Sequence, residues 1–111
     1  MVSVSNRLIR RIADDIVKEV APEKVILFGS WARGNASDRS DIDFLVIERE
    51  AFGPHRSRRK EAARISRSLS QYRVAIDILV YSSHELQANA QTLPVAIAEA
   101  LEEGKLLYES A

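Results

Sequence analysis

Cysteine is absent from the 111 residues, which excludes disulfides and thiolate metal sites and suits a reducing compartment. An excess of one charge is also missing. Sixteen Lys and Arg balance sixteen Asp and Glu, so no global field draws the chain towards nucleic acid, which is not an expected partner. No apolar run approaches the roughly eighteen residues needed to span a bilayer. The opening MVSVSNRLIRRIADD also lacks the apolar core of a signal peptide. A soluble, cytoplasmic protein with no membrane partner is therefore expected. Internal repeats and low-complexity tracts are lacking too, and 46% apolar content fills one ordinary core, so residues 1–111 are expected to form a single domain.

The most informative stretch that is present runs from Val25 to Ile47, VILFGSWARGNASDRSDIDFLVI. It reads as a short apolar strand ending in a Gly-Ser turn, a brief helix beginning at Trp31, Ala32 and Arg33, a polar loop, and a second apolar strand headed by two aspartates. Side chains alternate along an extended strand, so Asp41 and Asp43 share a face, about 7 Å apart. Two carboxylates on one face repel unless a cation lies between them. A divalent ion such as Mg²⁺, held by one or two carboxylates and by nucleotide phosphates, is the usual answer. The Gly29-Ser30 turn supplies the complementary half, because free backbone N–H groups at a helix start attract an anion. Metal on one side and phosphate on the other is the layout of a nucleotidyl-transfer site.

A third carboxylate, Asp77, stands within VAIDILV, which reads as a buried strand over Val74–Val80. An unpaired ionised carboxylate there would cost several kcal/mol. Two readings of it are open: a salt bridge to one of the arginines, or a share in the metal site.

Gly29-Ser30, ten residues, then Asp41-x-Asp43, with Arg33-Gly34 inside and Ser40 ahead of the first Asp, resembles the signature of the minimal nucleotidyltransferase (MNT, or MntA-like) branch of the DNA polymerase beta superfamily. The resemblance extends over essentially the whole chain. It implies an α/β (α+β) fold, a small mixed sheet of three to four strands flanked by helices, with a third aspartate on a following strand, the place Asp77 occupies. It also implies ATP as substrate and two Mg²⁺ ions held by Asp41, Asp43 and Asp77 as catalytic metal ligands. Gly29, Ser30, Arg33 and Ser40 fall in the nucleotide-binding positions, Arg33 as a phosphate clamp and Ser40 as an orienter of Asp41. Family members of this size act as antitoxins that add AMP to a tyrosine of a HEPN-domain toxin, which makes such a protein the implied partner. Two alternatives stand beside this reading. One is transfer to a small molecule or an RNA 3′ end, with a partner or homodimer completing the acceptor site; the other is non-catalytic neutralisation of a toxin.

The remaining chain supplies the frame. Ser5 is a predicted N-cap, with Leu8, Ile9, Ile12, Ile16, Val17 and Val20 at helical spacing over about 5–20 and Pro22 behind them. Between His55 and Arg73 seven Lys and Arg face Glu61 alone. A helix over about 56–72 is expected there, either a solvated face whose arginine stems cover the sheet edge or a docking surface; interleaved aromatics for base stacking are missing. Ser82 with Glu85 forms a capping-box pattern for a helix to about Gln91. Thr92–Glu103 reads as a further helix with Val95, Ile97, Ala98 and Leu101 inward and Gly104 as C-cap. KLLYE is expected to end the fold as a short strand. His55 and His84 sit beside loop signals, as surface histidines do.

Overall fold

In the computed structural model, which describes residues 4–111, a four-stranded mixed sheet is formed by β1 (Lys24–Phe28), β2 (Ile42–Glu48), β3 (Ile76–Ser82) and β4 (Lys105–Glu109). The strand order is β3-β2-β1-β4. β1 runs antiparallel to β2 and β4, while β2 and β3 are parallel, so the connection between them crosses over through a helix. The expected mixed α/β sheet is present.

Alternation along the central strands separates two cores. Val25, Leu27, Ile42, Phe44, Val46 and Val80 point to one face, where α1 (Asn6–Val20) and α3 (Arg58–Ser68) cover them with Ile9, Ile12, Ala13, Ile16 and Ile65. Ile26, Phe28, Leu45 and Ile47 point to the other, against Ile97 and Ala100 of α5 (Val95–Glu103), with Leu86 of α4 (Ser83–Ala88) at the margin. The first core is the larger. β2 is buried along nearly its whole length, as its continuous apolar run requires.

The caps behave as the sequence implies. The Ser5 hydroxyl accepts from Leu8 N at 3.1 Å, and Ala21, at φ 45°, closes α1 in the left-handed region just before Pro22. Ser82 and Glu85 form a complete capping box on α4.

Three expectations are corrected. Asp77 is exposed rather than buried, because β3 is an edge strand and the helices on that face do not reach its beginning. Val95 is 76% exposed and Leu101 42% exposed rather than inward. Here α5 meets the sheet through its small residues: a Cβ on Gly104 would lie 2.4 Å from Ile26 Cγ2, and the helix is turned so that Ala100 and Ile97 face β1. Gly104 is the expected C-cap, its N–H donating to the Ala100 carbonyl at 3.0 Å, and at φ −71° it is also a glycine of close approach. Finally, the expected helix over about 56–72 is shorter, Arg58–Ser68, with much of its charge satisfied internally. Arg56, just ahead of it, pairs with the buried Glu48 and with Glu50 and Glu61. Arg58 donates to the Val80 carbonyl at 2.8 Å and pairs with Glu85, lying over the rings of Phe52 and Tyr81. Arg64 pairs with Glu19.

Candidate active site

The turn after β1 places the first piece. Gly29 adopts φ 74°, a region closed to most L-residues, and a Cβ there would stand 2.2 Å from the Asp43 carboxylate. Backbone and carboxylate can touch only because residue 29 has no side chain. The chain then makes the single turn α2 (Ser30–Arg33), and Gly34 at φ 81° ends it.

The loop from Gly34 to Asp41 is braced from two sides. Trp31 Nε1 donates to the Ser40 carbonyl at 3.2 Å, and Ser37 N donates to the Ser40 hydroxyl at 2.9 Å. The hydroxyl of Ser40 therefore closes the loop on Ser37. One residue beyond Asp41, Ile42 N donates to the Ala75 carbonyl at 2.9 Å, tying this loop to the segment that enters β3. Trp31 carries a structural role that the sequence reading missed, and nothing in the local sequence names the Ser40 carbonyl as its partner.

Register assembles the carboxylates. Asp43 lies opposite Phe28 on β1 and beside Asp77 on β3, so residues 34 positions apart in sequence meet as neighbours on the α5 side of the sheet. Asp43 is half-buried, while Asp41, just before β2, and Asp77 are exposed. Burial first, then the charges of Asp77 and Asp41 and a hydrogen bond with Asp77, push the Asp43 carboxyl up to about 6, while Arg33 pulls in the opposite direction. Arg33 thus lies within electrostatic reach of the cluster. Phe28, Asp43, Asp77, Ile78, Leu79 and Ala96 line a cavity of about 380 Å³, polar at the carboxylates and apolar towards α5.

Asp41, Asp43, Asp77, Gly29 and Arg33 therefore gather at one edge of the sheet, and Ser40 sits behind them in the loop. The carboxylates do not form a closed cage: among the described residues no three His, Cys, Asp or Glu side chains make a ready-made metal-ligand group. Their chemistry nonetheless fits a divalent cation. A half-buried carboxylate destabilised by two like charges lowers its energy by sharing a hard cation with them, and the open side at Asp77 leaves room for ligand oxygens to complete the coordination.

Gly-Ser after β1 and carboxylates on β2 and β3 thus meet at one end of the sheet; the class of protein is a nucleotidyltransferase. Residues 10–111 match the family described as polymerase beta, nucleotidyltransferase, and the chain belongs to that family. It is 38% identical over 58 residues to a Methanocaldococcus jannaschii protein whose assignment as a protein adenylyltransferase is provisional. That match spans 52% of this chain and 54% of the relative, about half the length of each. Among solved structures, a provisionally assigned nucleotidyltransferase from Sulfolobus solfataricus superposes with a TM-score of 0.63 at 22% identity, covering 93% of this chain and 78% of the other. A chain of a toxin–antitoxin crystallised with AMP-PNP gives 0.57 at 18% identity over 91% and 73%. One from the MntA–HepT toxin–antitoxin gives 0.53 at 17% over 95% and 74%. At these identities the structures speak for the shared fold. Among the described residues no helix is long and apolar enough to cross a membrane.

Proposed function

We propose that this nucleotidyltransferase moves AMP from ATP to a hydroxyl of a partner protein, a tyrosine of a cognate HEPN-domain toxin, and so acts as an antitoxin in the cytoplasm. The observation that carries the chemistry is the meeting of Asp43 and Asp77 beside the side-chain-free Gly29. The M. jannaschii relative supports a protein acceptor, and the toxin–antitoxin folds support the kind of partner.

Asp41, Asp43 and Asp77 would hold Mg²⁺, two ions in this reading, which when bound neutralises triphosphate charge and stabilises the charge that develops at phosphorus. Gly29 lets a phosphate approach the backbone, and Ser30 offers its N–H and hydroxyl. Arg33, within electrostatic reach of the carboxylates, balances the remaining negative charge of the phosphates. Ser40 holds the loop so that Asp41 is presented beside Asp43. The acceptor oxygen attacks the α-phosphorus, one P–O bond forms, the α–β anhydride bond breaks, and pyrophosphate leaves with its electron pair. The phenolic proton passes to Asp77 or to solvent; Asp77 is the exposed carboxylate on the open side and needs no rearrangement to receive it.

The test is the intact mass of a HEPN protein encoded beside this chain, after incubation with the protein, ATP and Mg²⁺. Mass gains in whole AMP units, absent with the Asp41→Asn, Asp43→Asn double variant, are expected. No gain, with a stable complex still formed, would leave neutralisation by binding alone.

A further inference from the structure

Around the end of the sheet from the carboxylates, towards the α1 face on which Val4 and Val74 pack, lies a second and larger cavity, of about 550 Å³, lined by Val4, Asp38, Arg39, Ser40, Arg73, Val74 and Ala75. It lies within the size range of small-ligand and side-chain pockets. Its walls are the loop that leads into Asp41 and the segment that leads into Asp77, fastened to each other by the Ile42–Ala75 hydrogen bond. Ser40 precedes Asp41 directly, and Ala75 stands two residues before Asp77. A group bound here would be tethered to both carboxylates through short, braced backbone.

The charges of this cavity are unspent. Arg56, Arg58 and Arg64 are all engaged in ion pairs. Among the described ion pairs, none involves Arg39, Arg73 or Asp38, and all three residues are exposed. Two guanidiniums on opposite walls suit an anionic oxygen pair, for which arginine offers a planar fork of donors.

We propose that this cavity is the acceptor-docking subsite and that Arg39 and Arg73 receive an acidic side chain of the acceptor protein, close in sequence to the hydroxyl that is modified. The inference rests on the protein-transfer reading and names the feature by which the acceptor is chosen. A peptide fits better than RNA. Asp38 would repel a continuous run of phosphates, and the lining contains no aromatic ring on which a base could stack. One carboxylate meets the two arginines, and a neighbouring donor on the same peptide meets Asp38.

The experiment uses two random copolymers as probes, Glu–Tyr and Lys–Tyr, with ATP labelled at the α-phosphate and an unstructured RNA oligonucleotide as a third acceptor. The wild-type chain is expected to label Glu–Tyr at least tenfold faster than Lys–Tyr. The Arg39→Glu, Arg73→Glu variant is expected to reverse that preference with its KM for ATP unchanged, a swap that a loss of folding cannot imitate. An Arg39→Lys, Arg73→Lys variant should retain the acidic preference in weakened form. Equal labelling of both copolymers would overturn the docking assignment and leave transfer to protein standing. Labelling of RNA alone would overturn the protein-transfer reading and the docking assignment with it, and labelling of neither copolymer by a chain that still adds AMP to the neighbouring HEPN protein would overturn the docking assignment alone. A raised KM for ATP in the charge-reversed variant would move the arginines to the nucleotide.

Discussion

At the scale of single residues, Gly29 and Asp43 are the pair on which the site depends. Gly29→Ala introduces two separate faults, a backbone at φ 74°, ψ −156°, a region essentially restricted to glycine that costs other residues about 1–3 kcal/mol, and a Cβ 2.2 Å from the Asp43 carboxylate. The expected outcome is a protein that still folds, with its melting temperature lowered by several degrees and AMP transfer reduced at least a hundredfold, read by a thermal melt beside initial rates. Equal activity at unchanged KM would show that the close approach is dispensable. Asp43 itself gives a prediction of opposite sign for stability. Burial and the neighbouring carboxylates push its carboxyl up to about 6 in the fold against 3.8 when free, so without metal its ionisation opposes folding increasingly between those values and in full above them. Asp43→Asn should therefore raise the stability of the metal-free protein at pH 7, by on the order of 1–2 kcal/mol after screening. If Mg²⁺ binds at the proposed site, it should stabilise the wild type by about 2.7 kcal/mol at a hundredfold excess over Kd, and the same substitution should abolish that stabilisation. Melting curves with Mg²⁺ and with EDTA check both halves. These residues were legible because their pattern is local: strand alternation puts Asp41 and Asp43 on one face, and Gly-Ser, ten residues and Asp-x-Asp carries the resemblance to the family. Trp31 bracing Ser40 was not legible, since a tryptophan in a one-turn helix says nothing about which carbonyl its indole will find.

At the scale of elements, the end of β2 offers a test away from the chemistry. Glu48 is 5% exposed, one of its oxygens is buried without a hydrogen-bond partner, and it shares Arg56 with Glu61. Burial first, and then the nearby Glu61, push its carboxyl up to about 7 from 4.5, against the pull of Arg56. The fold therefore binds a proton that the unfolded chain has already lost, and stability should fall as pH rises from 4.5 to about 7. Glu48→Gln should flatten that slope and leave the variant more stable than wild type at pH 8 in urea titrations; an unchanged slope would assign the titration elsewhere. Elements show the same division of legibility as residues. The ends of α1 and the start of α4 could be read because caps are local, and Ser5, Ser82 and Glu85 act within three residues of themselves; α4 stops at Ala88, short of the expected Gln91. The exposure of Asp77 could not, because VAIDILV has the composition of a buried strand. Only the order β3-β2-β1-β4 makes it an edge, and that order is decided by pairings between distant segments. The outward turn of Leu101 was hidden for a similar reason: i and i+4 spacing from Ile97 promised one face, but the near approach of Ala100 and Gly104 to β1 rotated the helix.

At the scale of the whole molecule, the unequal cores decide where the protein is firm and where it gives. Among the described residues, the face under α1 and α3 carries a single cluster of twelve buried residues from helices and sheet, against six on the face of α4 and α5, where Val95 and Leu101 stay in solvent. The candidate site opens on the weaker side, with Ala96 at the start of α5 forming part of its wall. Regions with few buried apolar contacts open at lower free energy than the global fold, so amide exchange should rank α1, β1 and β2 slowest and the segment from Asn89 through the first turn of α5 fastest. ATP with Mg²⁺ should then slow exchange in that first turn and in the Gly29–Asp41 loop while leaving α1 unchanged, because the ligand would span both walls of the cavity but touch nothing on the far face. Core truncations should divide in the same way. Ile12→Ala, in the larger cluster, is expected to cost about 2–5 kcal/mol and to leave the KM for ATP intact in whatever fraction is folded. Ile97→Ala, carrying a comparable side-chain loss beneath the site wall, should raise that KM as well. If exchange proved uniform across the two faces, and both truncations left KM alone, the wall of the site would have to be as rigid as the sheet beneath it.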